Sequence, residues 1–447
     1  MKIMRFIAQC IMFLCCTVFS INSAQASSDS MPDIQTWTTS QGVPVYFVRR
    51  TRQPMLDINL VFNAGSSRDP QTQYGLSQIT ASLLNQGTTT LSADDIAEQF
   101  GQYGSLFEAE STQDWLAVHL RSLTQSQALT ASVKLLNQLI TQSTFSQQAL
   151  DRKKLQAQTA LKYVLQNPSK LAQKVFLEEL YGSGPYAHIT LGTTKGVDAI
   201  TNTAVQSFYQ RYCVLKNAQI VMVGDLSLQQ AKALSEKLVA GLPQGHSAPV
   251  LSPPTTPQKH SVHVSFHSRQ ATIILGYLGI TRENPEYFAL LVGNHMLGGI
   301  PLSSQLFNVI RNQYGLAYTV VSALNPLQQP GPWFVFMQTQ ASQSQQAVQY
   351  VENIIESMKT QPISEEQLKL VKANLVGSFP ITIATNEGLL GVMTRIAFYH
   401  RPLDYMSTFK DHVNAVSADD IHRAFQKVLN HQTPIIVTVG PDNDYAS

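Results

Sequence analysis

The same succession of segments occurs twice along this chain, and that repetition limits the folds open to it. VQSFYQRYCVLKNAQIVMVGD lines up with DIHRAFQKVLNHQTPIIVTVGPD, placing Tyr209 over Phe425 and Gly224 over Gly440 at one offset of 216 residues. MLDINLVFNAG…YGLSQITASLLNQG runs parallel to TIILGYLGITRENPEYFALLVGNHMLGG as a strand, a turn and a helix. The pentapeptide SADDI also stands twice, at Ser92–Ile96 and Ser417–Ile421, each time as an N-cap with acids in the first helical turn. A duplication explains these echoes, and the short period of a solenoid is absent.

Between the copies lies GLPQGHSAPVLSPPTTPQKHS, residues 241–261, with five prolines and no apolar period, which reads as a semi-rigid linker. It separates a first domain, residues 27–240, from a second, residues 262–447. In each half, strands such as PVYFVRR, LDINLVF and DWLAVHLRSL alternate with long helical stretches such as SQQALDRKKLQAQTALKYVLQ and AVQYVENIIESMKTQ. The last strand of each half, IVMVG or IIVTVG, is continuously apolar, as expected where both faces are covered. The reading is an α+β chain of two homologous domains, each a mostly antiparallel sheet packed with helices.

Residues 1–26, MKIMRFIAQCIMFLCCTVFSINSAQA, have a basic start, an apolar run from Phe6 to Ile21 and an Ala24-Gln25-Ala26 finish, the pattern of a cleaved secretory signal. The run is short for a membrane span. With 31 basic and 29 acidic residues in all, loss of Lys2 and Arg5 takes the formal charge from +2 to zero. No polybasic patch then argues for nucleic acid or an anionic membrane surface. Cys10, Cys15 and Cys16 leave with the signal, so Cys213 stands alone, and neither a disulfide framework nor a cysteine metal site is open to the mature chain. Its place ahead of an apolar strand marks a packed thiol.

GLSQITASLLNQGT, residues 75–88, reads as a short amphipathic helix on which Gln78, Ala81 and Ser82 share a face at i, i+3 and i+4. The stretch resembles the zinc helix of the inverted-zincin peptidases, the pitrilysin, insulinase and mitochondrial processing peptidase family, whose pattern is Gly-Leu-x-His-x-x-Glu-His followed by an apolar pair and x-x-Gly-Thr. Gly75, Leu76, Gly87 and Thr88 fall in register. The chemistry does not. The metal histidines fall on Gln78 and Ser82 and the general-base glutamate on Ala81. The family's third ligand, a glutamate on the helix before an Asn-Pro, falls on Thr159 or Ala160 of LDRKKLQAQTALKYVLQNPSK. Zinc needs imidazole nitrogens at about 2.0 to 2.1 Å and a carboxylate to take the proton of its bound water. Amide, hydroxyl and methyl groups supply neither.

NPSKLAQKVFLEELYGSGPYAHITLGTTKGVDAIT resembles the family segment with Tyr-Gly, Pro-Tyr and Leu-Gly-Thr landmarks, and PLSSQLFNVIRNQYGLAYTV resembles its C-terminal substrate motif. In that motif an arginine and a tyrosine seven residues later face the zinc site from the opposite domain; the pair falls on Arg311 and Tyr318. A guanidinium and a phenol can hydrogen-bond a peptide carbonyl or the oxyanion formed on attack by water. One departure is Gln305, where the motif has an arginine. Met296–Gly299 reads as a helix C-terminus closed by glycine.

Other histidines and acids offer no replacement site. His263 and His267 share a strand face but lie roughly 13 Å apart at 3.3 Å per residue. His260 stands beside them without a third ligand, His295 reads as a core or interface histidine, and Glu178 and Glu179 as a solvated helix face.

The resemblance implies two domains clamped as a clamshell around a peptide chamber, paired with a second two-domain chain. It further implies a periplasmic, non-catalytic subunit of a heteromeric zinc peptidase: no cofactor in this chain, zinc in a homologous catalytic partner, and peptides bound through Arg311 and Tyr318. The alternatives are a stand-alone peptide-binding or assembly protein of the same fold and an independent zinc peptidase. Self-association as a homodimer stays open.

Overall fold

The structure is a computed structural model that describes residues 31–258, 260–300 and 302–442. The signal-like residues 1–26 lie outside the described residues.

Strand-forming sequence builds two sheets. The first uses β1 (Gln35–Thr38), β2 (Pro44–Arg49), β3 (Met55–Phe62), β4 (Leu106–Ser111), β5 (Leu116–Leu123) and β6 (Ala218–Gly224), in the order β1-β2-β6-β3-β5-β4. The second uses β7 (His260–Ser265), β8 (Gln270–Leu278), β9 (Ala317–Leu324), β10 (Pro332–Gln340) and β11 (Ile435–Gly440), in the order β7-β11-β8-β10-β9. Apart from β1, strand for strand the orders coincide. In each sheet one neighbouring pair is parallel, β2 with β6 and β7 with β11, and the rest are antiparallel. The α+β reading and the duplication therefore hold at the level of topology.

One echo does not belong to the repeat. Ser92 and Ser417 both close capping boxes, with Asp95 and Asp420. The helix that Ser417 starts, Ala418–Leu429, precedes the last strand and so corresponds to Asn202–Tyr212, whereas the helix after Ser92, Ala93–Gln102, runs into β4. SADDI recurs because a serine N-cap with an acid three residues on satisfies the first backbone N–H groups of any helix.

Each half lends a helix to the other. Pro168–Tyr181, from the first half, lies against β8 and β11, and Asn386–Phe398, from the second, lies against β3 and β6. This covers the second face of the central strands and explains why β6 and β11 are mostly apolar, with every residue but Gln219 buried. Phe176 of the first lent helix is buried among Ile274, Val437 and Val439. The seat depends on Gly276, where a Cβ would come within 2.4 Å of Phe176 Cζ. On the other side Asn59 Nδ2 donates to Thr394 Oγ1 at 3.0 Å, and an Arg50 guanidinium N–H donates to the Ile383 carbonyl at 3.1 Å.

The proline-rich segment is pinned more firmly than a spacer requires. Ala248 N–H donates to Asn217 Oδ1 at 2.6 Å and Gln329 Nε2 to the Leu251 carbonyl at 2.9 Å, and β7 begins at His260, inside the span expected to be linker. Among the described residues no helix is long and apolar enough to cross a membrane. Cys213 is buried, and burial pushes its thiol far above the usual range, which leaves it a packing group.

Candidate functional site

The segment GLSQITASLLNQGT does form a helix, Leu76–Leu83. Its start is unusual. Gly75 sits at φ +106°, a left-handed conformation that favours glycine, and a Cβ there would approach the Leu191 carbonyl oxygen to 2.8 Å. The cap comes from outside the helix: Asp69 accepts from Gly75 N–H at 2.7 Å and from Ser77 N–H at 2.8 Å. Such a carboxylate complements the positive end of the helix dipole. Burial nevertheless dominates, pushing the Asp69 pKa to about 7 against these donors.

The four degenerate positions are each satisfied locally. Gln78 Oε1 accepts from the Ser111 backbone N–H at 3.0 Å, tying the helix to the end of β4, and Ser111 Oγ donates to Ser77 Oγ at 3.0 Å. Ala81 is 1% exposed and belongs to the first hydrophobic core. Ser82 Oγ donates to the Ile79 carbonyl at 2.8 Å within its own helix. Thr159 Oγ1 does the same with Leu155 at 2.9 Å on the exposed side of Gln147–Gln166. That helix packs on Leu76–Leu83. Among the described residues no group of three or more His, Cys, Asp or Glu side chains is placed to hold a metal. Amide, methyl and hydroxyl groups at these positions can neither ligate zinc nor activate its water.

Arg311 and Tyr318 are brought together. Arg311 lies in the π-helical segment Phe307–Gln313 and Tyr318 on β9, an edge strand of the second sheet. Gly315, at φ +64°, turns the chain between them. The Arg311 guanidinium carbon stands 4.3 Å from the centre of the Tyr318 ring and 4.7 Å from that of Phe307. Tyr318 is 75% exposed, so its hydroxyl faces away from the core. Among the described residues no hydrogen bond or ring contact joins this pair to Gln78, Ala81, Ser82 or Thr159.

The remaining candidates resolve separately. His295 Nε2 bonds Asn374 Oδ1 at 2.8 Å, and burial lowers its pKa. Met296–Gly299 closes a π-helical turn against β9, where a Cβ on Gly298 would meet Ser322 N at 2.5 Å. Glu178 pairs with Lys174 at 2.7 Å, but Glu179 is more than a solvated face: its carboxylate meets His260 Nε2 at 2.6 Å across the two halves. His263 turns to Asp442 at 3.3 Å, so His260 and His263 serve different partners.

A cavity of about 690 Å³ opens between the halves, lined by Ser111 to Gln113 on one side, by Leu324, Asn325 and Phe334 on the other, and by Phe176 of the lent helix. Ser111, held by Gln78, is thus part of its wall. Sequence reasoning missed the buried residue that follows Gln113 in the chain. Asp114, 1% exposed, accepts from Tyr186 Oη at 2.6 Å, Tyr399 Oη at 2.8 Å and Gln328 N–H at 2.9 Å, joining the halves through one carboxylate. A lone aspartate in a strand connection carries no periodic signal that would have revealed it.

Comparison with known proteins agrees with this geometry. Residues 45–194 match the family model described as Insulinase (Peptidase family M16), and residues 199–375 match Peptidase M16 inactive domain. The "Non-peptidase homolog YmxG" of Helicobacter pylori is 25% identical over 381 residues, covering 85% of this chain and 88% of that protein. The "Uncharacterized zinc protease YmxG" of Bacillus subtilis is 22% identical over 390 residues, covering 87% and 93%. A crystal structure of a peptidase M16 inactive domain from Pseudomonas fluorescens superposes with a TM-score of 0.87 at 32% identity, over 92% of this chain and 98% of that one. With that identity over nearly the whole of both chains, this protein belongs to the insulinase family, peptidase family M16.

Proposed function

We propose that this protein is a non-catalytic, substrate-binding subunit of a heteromeric periplasmic zinc peptidase. A homologous partner holds the zinc and cuts the peptide, while Arg311 and Tyr318 of this chain engage its backbone. The observation that carries the reading is the contrast between two motifs. At Gln78, Ala81, Ser82 and Thr159 every side chain is turned to its own fold, whereas Arg311 and Tyr318 are stacked in place with the tyrosine open to solvent.

Two further features support it. β4 is an edge strand whose end, Ser111, reaches the inter-half cavity, so an extended peptide can add along it by main-chain hydrogen bonds. The Helicobacter pylori relative is itself named a non-peptidase homolog.

The test is reconstitution. The purified chain is mixed with a secreted homologue that has an intact His-x-x-Glu-His, and zinc content and peptide hydrolysis are measured for each alone and for the mixture. The expected result is zinc in the partner only and hydrolysis enhanced by the mixture. Stoichiometric zinc and hydrolysis in this chain alone would refute the assignment.

A further inference from the structure

Three arginines line one recess of the second half. The cavity, about 210 Å³, is bounded by Arg282 from the turn after β8, Arg395 from the helix lent to the first half, and Arg401 beyond that helix. Tyr287, Tyr405 and Phe379 also line it, with the Phe379 and Tyr405 rings 6.4 Å apart. Among the described residues its lining holds no carboxylate. Glu286, next to Tyr287, is engaged by Lys427 at 3.0 Å, and Glu283 lines the neighbouring cavity.

Two of the cations have aromatic support. Arg401 lies 4.3 Å from the centre of Tyr287 and 4.5 Å from that of Tyr405; Arg282 lies 5.2 Å from that of Tyr399. Stacking offsets part of the cost of placing them there. An Arg401 Nη1–H also donates to the Arg282 carbonyl at 3.4 Å, whereas among the described residues Arg282 Nε is buried without a hydrogen-bond partner. Arg395 has neither stacking nor an ion pair among the described residues. Arg395 is an exposed residue, while the protein around it first, and the Arg282 charge second, hold its pKa below the ordinary arginine value. Like charges gathered without a counterion raise the energy of the empty state, and an anion would lower it.

The lining also says what kind of anion. Phe379, Phe409, Leu375 and Val392 make much of the wall, and burial raises the pKa of the Tyr405 phenol, whose hydroxyl meets that of Tyr287. A volume of about 210 Å³ is below the ~300 to 1,000 Å³ of sites for drug-sized ligands. We propose that this recess binds an organic carboxylate bearing an apolar group of residue size, with Arg395 as its principal ligand and the Phe379 side facing the apolar group. The site is separate from Arg311 and Tyr318 and does not rest on the peptidase reading.

The test is calorimetric titration of the full mature chain with N-acetyl-leucine, its neutral amide and inorganic phosphate, on the native protein and on Arg395→Met. The acid should bind at least tenfold more tightly than either the amide or phosphate, and Arg395→Met should lose at least tenfold in that affinity. Without ligand the variant should melt no lower than the native protein, since it relieves an unpaired charge; a purely structural guanidinium would lower the melting temperature on removal. Equal binding of acid and amide, equal binding of phosphate, or unchanged affinity in Arg395→Met overturns the proposal. A short peptide ending in leucine distinguishes two sources of the same chemistry. Binding as tight as that of N-acetyl-leucine identifies a chain terminus, and weaker binding identifies a free acid.

Discussion

Gln78 Oε1 accepts the backbone N–H of Ser111 at 3.0 Å, so this side chain fastens its helix to the end of an edge strand. Gln78→Ala leaves the partly buried Ser111 N–H without its partner and should cost about 1 to 3 kcal/mol. Urea denaturation followed by circular dichroism checks this; an unchanged midpoint would show that the joint contributes nothing.

Restoring the general base should be more damaging than removing the joint. Ala81 is 1% exposed within the first core, so Ala81→Glu forces a carboxyl group and extra volume among apolar side chains. A loss above about 3 kcal/mol is expected, from overpacking and from an unpaired buried polar group. Expression yield and melting temperature report it, and a variant as stable as the native chain would mean that the helix still tolerates the catalytic residue.

The halves should unfold as one. Asp114 joins Tyr186 to Tyr399, and Phe176 seats the first half's helix on the second half's sheet. Phe176→Ala should cost about 3 to 5 kcal/mol. Asp114→Ala, which strands two buried phenols and the Gln328 N–H, should cost about 3 kcal/mol or more. In both variants tryptophan fluorescence and far-UV dichroism should shift together; separate transitions for the two halves would contradict the exchange of helices as the source of cohesion.

Stability should respond to Asp69. Its carboxyl is raised from 3.8 to about 7 in the folded state, so between those values the folded chain holds a proton that the unfolded chain has released. The sign follows: this contribution is fully present below about pH 4 and is lost as the pH rises through about 7. Asp69→Asn should flatten that part of the profile. Denaturant midpoints at pH 5 and pH 8 measure it, and equal slopes in the two proteins would contradict the assignment.

Much of this architecture was legible in the sequence because the 216-residue offset preserves strand order, and the second halves of both copies align residue by residue at Tyr209 and Phe425. The SADDI repeat misled for a physical reason, since capping chemistry is local and recurs wherever a helix begins. The helix exchange was not legible. Apolar periodicity in Pro168–Tyr181 shows that one face is buried, but not that the covering sheet belongs to the other half. The alignment of Gln78, Ala81, Ser82 and Thr159 with a zinc motif is a matter of register alone, whereas the partner of Gln78 is 33 residues away and appears only once β4 is folded beside the helix. Asp69 and Asp114 act through burial, which single acids in loops do not advertise.

The central claim is that Arg311 and Tyr318 serve a partner's zinc site, and the most direct measurement is kcat/KM for peptide hydrolysis by the reconstituted pair carrying Arg311→Ala and Tyr318→Phe in this chain. Loss of donors to a developing oxyanion costs about 10² to 10³ per donor in rate. A fall of at least about 10²-fold, with assembly and zinc content unchanged, is the predicted result. Hydrolysis at the unmodified rate in an intact complex would contradict the account.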